Sequence, residues 1–224
     1  MASFKLNIAH ITGCPPPKTL ADALSEFGLP ESEEFGVLQH SNTSEAVFGT
    51  IIRRTQAAVQ KIDAESKEIT SSPVEKVTQY PFGVKPSTGM LEIYAGSATG
   101  IEQVGNFFAG CLALPTVVEG IELDIPSAIE RLTKDTQRFQ LRGIRVNEYA
   151  HNSYMLGVYA PKFLDSAHGL EFMEKYAQFL ASAQIRFQGP SGKVNVTLTP
   201  KASFAFSCNE DDQPTVQSIL RKLV

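Results

Sequence analysis

The chain has 224 residues, 42% hydrophobic and 20% charged, with a formal net charge of -4. That length suits one domain or two small ones, and the apolar fraction excludes wholesale disorder. No apolar run reaches the roughly 18 residues of a membrane-spanning helix, and Cys14, Cys111 and Cys208 are too scattered for a disulfide framework or a zinc knuckle.

Phe4 to Ile11 alternates as a strand, with Phe4, Leu6, Ile8 and His10 on one face. Pro15-Pro16-Pro17 stops it, because proline has no amide to donate. Leu20, Ala23, Leu24 and Phe27 recur at helical spacing and Gly28 supplies a stop, so a short helix follows. Residues 29–45, acidic and rich in Ser, Asn and Pro, predict a surface loop. Val47 to Asp63 is β-like, most strongly at Thr50-Ile51-Ile52, with a Gln/Ala stretch after it that allows a bend or a helix, and Pro73 and Pro81 restrict what lies between them to short strands or loops. A buried strand from Met90 to Ala95 leads through Gly96-Ser97-Ala98-Thr99-Gly100 into a helix over 100–113. Its stripe is Ile101, Val104, Phe108, Cys111 and Leu112.

Val117 to Ile125 predicts a strand, and Pro126-Ser127 opens a helix to Lys134. A strand over 139–149 comes next, with Arg138 before it, Arg142 and Arg145 on it, and Gly143 marking a bulge. Ser153 to Tyr159 is another strand, and Leu170 to Leu180 a helix. In the last third, Ile185–Gln188, Lys193–Thr199 and Ala202–Cys208 read as an antiparallel meander. Val194, Val196 and Leu198 face in, and Asn195, Thr197 and Thr199 face out. A final helix follows Asp211-Asp212-Gln213-Pro214, with Arg221-Lys222 in its last turn, as the helix dipole favours.

The expected fold is therefore α+β, mainly antiparallel sheet with helices packed on one face. The arrangement allows two ferredoxin-like halves. A single domain over 1–224 is expected, with a subdivision near 1–89 and 90–224 as the alternative. The expected location is the cytoplasm, and no membrane partner is expected.

Charge is segregated along the chain. Net charge is -4 over 1–48, +2 over 49–90, -5 over 91–136 and +4 over 137–206. An acidic chain is a poor nonspecific polyanion binder, but these segments leave room for a local basic surface. Arg53, Arg54 and Lys61 lie on one β element, and Arg138, Arg142 and Arg145 on another, with Tyr149, Tyr154 and Tyr159 close behind. Basic strands interleaved with aromatics are how α+β sheets hold single-stranded nucleic acid. The ordinary alternative is a solvated strand face.

His10-Ile11-Thr12 and His151-Asn152-Ser153 share the form His-x-Ser/Thr. Paired motifs of this kind serve phosphoester chemistry, one imidazole acting as base and the other as acid while the hydroxyls hold phosphate. Gly13 stands where a hydrophobic residue would follow the first motif, so the match is short. Gly189-Pro190-Ser191-Gly192-Lys193 has phosphate-loop composition but the wrong spacing, and a strand follows it, so it reads as a hairpin turn. Gly96 to Gly100 lacks the three-glycine dinucleotide pattern and reads as a helix start. No metal-ligand or serine-hydrolase spacing occurs, no cofactor is implied, and the cysteines read as core. The leading expectation is a non-enzymatic binding or assembly protein whose partner is nucleic acid or a nucleoprotein. A two-histidine phosphoesterase and a protein-interaction subunit are the alternatives.

Overall fold

The structure, a computed structural model, describes residues 1–62, 64, 67, 69–94, 99–152 and 155–224. Within these it describes every side chain but those of Lys61, Thr70, His151, Asn152 and Met155. In chain order the elements are β1 (Ala2–Thr12), α1 (Pro17–Phe27), β2 (Phe35–Asn42), β3 (Val47–Ile62), β4 (Ile69–Lys85), β5 (Met90–Ile93), α2 (Thr99–Asn106) and β6 (Val117–Gly120). Then come α3 (Ile125–Asp135), β7 (Gln137–Asn152), β8 (Met155–Tyr159), α4 (Ser166–Lys175), β9 (Leu180–Gln188), β10 (Lys193–Thr199), β11 (Ser203–Cys208) and α5 (Gln213–Arg221). The fold is α+β with antiparallel sheet, as the sequence reads. The pairings do not establish ferredoxin-like halves. Among the described residues no helix is long and apolar enough to cross a membrane.

Two compact units form, one of residues 1–10, 94–101 and 119–224, the other of residues 11–93 and 102–118. In the first, the strand order is β1-β11-β10-β9-β7-β8. Alternation sets its inner face: Val194, Val196 and Leu198 of β10 are at most 2% exposed, with Ala183, Ile185 and Phe187 of β9 and Phe204, Phe206 and Cys208 of β11 buried beside them. Val196 sits between Ile185 and Phe206. The helices repeat apolar residues every three or four positions to match this face. α3 buries Ile125, Ala128, Ile129 and Leu132 and lies on β7 and β9, while α4 lies on β7. α5 buries Val216 and Leu220. Each large apolar side chain so buried favours folding by about 1.5–3 kcal/mol relative to exposure. The buried Asp212 carboxylate accepts the Ser191 amide at 3.1 Å, tying the 189–192 turn to the start of α5.

In the second unit the order is β2-β3-β4-β5. Ile51, Phe82, Val84, Leu91 and Ile93 are buried, as are Leu20 and Leu24 of α1, which packs on β2 and β3. A π-helical turn over Phe107–Cys111 prolongs α2 and places two buried rings. Phe107 meets Phe27 edge-on at 5.1 Å and Phe35 at 5.8 Å, and Phe108 meets Phe82 at 5.4 Å. Gly28, with φ of +60°, ends α1 and donates its amide to Leu24 O, in line with its expected role as a stop.

Several elements differ from the sequence expectation. Within the supposed loop 29–45, Phe35–Asn42 is a strand, recruited by pairing with β3 rather than by its own weak propensity. Residues 69–85 form one long strand despite Pro73 and Pro81. The two prolines stand eight positions apart, opposite Ala58 and Thr50, so both nitrogens point away from β3. β5 pairs only from Phe82 onward, so no ladder bond is lost at either proline. The strand expected over 117–125 ends at Gly120. The helix expected over 170–180 spans Ser166–Lys175, capped by the Asp165 carboxylate on the Ala167 amide, and Leu180 already belongs to β9. Gly143 does mark a bulge: the register shifts there, and a Cβ would stand 2.8 Å from Pro161 O. Residues 95–98 of the Gly96 to Gly100 link lie outside the described residues.

Candidate nucleic-acid interface

The outward face of the first unit's sheet is built by the same alternation that builds its core. Across it runs a row of Gln140, Arg186, Asn195, Ser207 and Ser3, each opposite the next in register. The next row holds Gln184, Thr197, Ala205 and Lys5. Arg145 stands opposite Ser182, and Lys193 opposite Gln188. Lys5, Arg145, Arg186 and Lys193 are the charged groups of this set, and no carboxylate occurs in it. Many carboxylates of this unit lie instead on and around the helices, as at Glu130 of α3, Asp165 before α4, Glu171 and Glu174 of α4, and Asp211 before α5, while Glu148 is exposed farther along β7. Strands spaced about 4.8 Å apart spread the four cations over a surface about 19 Å wide from β7 to β1.

Hydrogen bonds fix part of this face. Arg186 Nε donates to Asn195 Oδ1 at 2.8 Å, and Asn195 Nδ2 donates to Ser207 Oγ at 3.4 Å. The guanidinium is thus held across the strands with its remaining N–H groups available as a fork, the geometry that suits a phosphate. Asn7, opposite Ser203 at the far side, is buried, and neither polar atom of its amide has a partner among the described residues.

The expected basic residues fall into two groups. Arg145 is on this face, and Arg138 and Arg142 are exposed on the same strand, at the bulges of β7. Arg53 and Arg54 belong to the other unit and are engaged within the chain. Arg53 Nε is 2.5 Å from Glu34 Oε1, with the guanidinium 5.8 Å from the centre of the Phe35 ring. Arg54 donates to Pro30 O at 2.9 Å and Glu33 O at 3.0 Å, and its Nε lies 3.9 Å from Glu75 Oε1. Both clasp the segment that leads into β2. Lys61 lies in β3 by its backbone, and its side chain is outside the described residues. Sequence reasoning missed Lys5, Arg186 and Lys193. Arg186 was within reach, because closing the 189–192 turn on Gln188↔Lys193 puts Arg186 beside the wet-face Asn195.

The tyrosines do not form a stacking platform on this face. Tyr149 packs 4.6 Å from Tyr159 and 5.4 Å from Tyr176, and Tyr176 lies 4.7 Å from Phe172, so they stack on one another in a partly exposed cluster of β7, β8 and α4 residues. The neighbouring Tyr176 hydroxyl holds the Tyr149 phenol above its ordinary range. Tyr154 lies outside the described residues.

His10 is exposed at the end of the first unit's share of β1, and Thr12 is exposed at the strand's last position. The His151 side chain and Ser153 lie outside the described residues. Of the cysteines, Cys208 is core as expected, Cys14 is half-buried with its thiol pushed up to about 11 by burial, and Cys111 is exposed. The exposure of Cys111 corrects the core reading, because the α-helical stripe gives way to a π turn just before it.

The chain matches no protein-family model and no curated protein.

Proposed function

We propose that the chain is a binding protein that holds single-stranded nucleic acid on the outward sheet face of the 119–224 unit. The supporting observation is the segregation of charge: Lys5, Arg145, Arg186 and Lys193 share a face whose paired rows hold no carboxylate, on a chain that is acidic overall. Hydroxyls and amides of Ser3, Thr197, Ser207 and Gln184 add neutral hydrogen-bonding groups between the cations. Without aromatic side chains on these rows, affinity comes from bonds to phosphate and sugar, and sequence preference is weak. The acidic helices keep nonspecific attraction to the rest of the unit low.

The test is fluorescence anisotropy of single-stranded RNA and DNA oligonucleotides against the full chain over a salt series. Lys5→Glu combined with Lys193→Glu should weaken binding at least tenfold. The salt dependence should flatten by roughly 0.7 log unit for each phosphate no longer neutralised. Both residues are exposed and have no packing role, so the thermal midpoint should hold. Absence of binding at low salt, or an affinity indifferent to the two reversals, refutes the proposal.

A further inference from the structure

The β3/β4 hairpin outruns the sheet that carries it. β2 ends its pairing at Phe35↔Arg53, and β5 pairs only with Phe82 to Lys85, whereas β3 and β4 stay in unbroken register out to Ile62↔Ile69. From Arg54 and Val77 outward, the two strands form a ribbon with no third strand among the described residues. Its apolar side chains are bare: Val59 is 41% exposed, Val74 45%, Ile69 65% and Ile62 73%. A two-stranded ribbon alone is marginal in water, and a free strand edge is a template for pairing.

The two edges of this ribbon are unlike. On β4, Pro73 and Pro81 turn their nitrogens outward, so that edge lacks a donor at each, and Pro73 sets its ring in the middle of the bare ribbon where it obstructs a further strand. On β3, the Arg54 amide donates away from β4, to Glu34 O at 2.7 Å. The register beyond it is unbroken, so Gln56, Ala58, Gln60 and Ile62 turn their amides and carbonyls to the same side. That stretch contains no proline, and no described residue takes those groups. Residues 55–60 and 69–74 also contain no charged side chain, although charges are the usual guard of an exposed edge.

We infer that this edge is a homodimer interface: the β3 strands of two copies pair antiparallel about a two-fold axis at Val59. This inference stands apart from the nucleic-acid reading. The open stretch 56–62 is centred on Val59, so pairing there uses all of it. Gln56 exchanges backbone bonds with the partner's Ile62, and Ala58 with the partner's Gln60. Val59 faces the partner's Val59 in the close, non-hydrogen-bonded position, with Cα atoms about 4.5 Å apart. A two-fold axis at Val59 sets Lys61, the one charged residue of the stretch, opposite the partner's Ala57, so that no like charges face each other. The two-fold contact uses up the open β3 edge of both copies, and the Pro73 ring obstructs the β4 edge, so the assembly closes at two copies rather than leaving a filament. Insertion of the ribbon into a nucleic-acid groove is disfavoured by the residues joining the strands, which hold Asp63, Glu65 and Glu68 against Lys67.

Sedimentation velocity of the full chain tests the interface, together with cross-linking. The chain should sediment as a dimer at micromolar concentration, and Ala58→Pro as a monomer. The Ala58 amide points away from β4, so proline there leaves the hairpin ladder intact. Val59→Cys should form a covalent dimer on mild oxidation at least tenfold faster than Gln56→Cys or the unsubstituted chain with its own three cysteines. A wild-type monomer would overturn the inference and leave the edge to a strand from another protein. So would a dimer that survives Ala58→Pro, or cross-linking at position 59 no faster than at 56. If Ala58→Pro does not fold, the cross-linking rates decide alone.

Discussion

Strand β10 and the outer half of β4 teach opposite lessons from similar residues. Val194 and Val196 are buried on β10, whereas Val74 and Val77 are 45% and 48% exposed on β4. Both strands are antiparallel and in clean register with a neighbour. What differs is the layer behind them. Helices α3 and α4 lie on the first unit's sheet and α5 buries its own apolar stripe, while α1 packs on β2 and β3 in the second unit, where the buried residues of β3 stop at Ile52. Alternation fixes which side chains share a face, and only a second layer turns that face into a core.

The largest expected effect separates these two environments directly. Val196→Asp buries an unpaired carboxylate and should cost roughly 4 kcal/mol or more, enough to abolish cooperative unfolding of the first unit. The same change at Val74, and Thr197→Val on the opposite face of β10, should each stay within about 0.5 kcal/mol. Urea unfolding of the three variants checks the pattern, and a Val74→Asp loss as large as that of Val196→Asp would mean that the ribbon has a cover of its own.

An intermediate effect is expected at Arg54, where the supported part of β3 ends. Arg54→Met keeps the apolar stem but removes the bonds to Pro30 O and Glu33 O. A loss of about 2 kcal/mol should follow, with faster amide exchange over residues 30–37. If the midpoint is unchanged, the segment before β2 is held by Phe35 packing alone.

The smallest effect has the opposite sign. Thr116 is buried, and its hydroxyl has no partner among the described residues. Thr116→Val keeps the shape and removes the unpaired group, so the second unit should gain about 1 kcal/mol. A thermal midpoint that falls instead would show that the hydroxyl is satisfied by water.

The legible parts of the candidate face were those set by local pattern. Thr197 and Thr199 were placed outward by period two alone, and Arg145 was singled out by charge. Lys5 is the counterexample: it sits 188 positions from Lys193 in the chain, yet β11 alone separates their strands in the sheet. No local pattern links the two, because strand order is decided by which buried faces match.

The sequence by itself determined the elements whose periodicity and punctuation agree. These are the β10/β11 meander, the proline-led helices α3 and α5, the glycine stop after α1 and the bulge at Gly143. Each depends on sterics and hydrogen bonding within a few residues, which propensity encodes directly. Tertiary structure alone decided the rest. β2 exists because β3 offers it a ladder, β4 runs straight through two prolines because β5 on that side pairs only from Phe82 onward, and Leu180 leaves its helix to pair with Val146. Those choices turn on whether a backbone amide finds a partner across the sheet, and that partner lies far away in the chain.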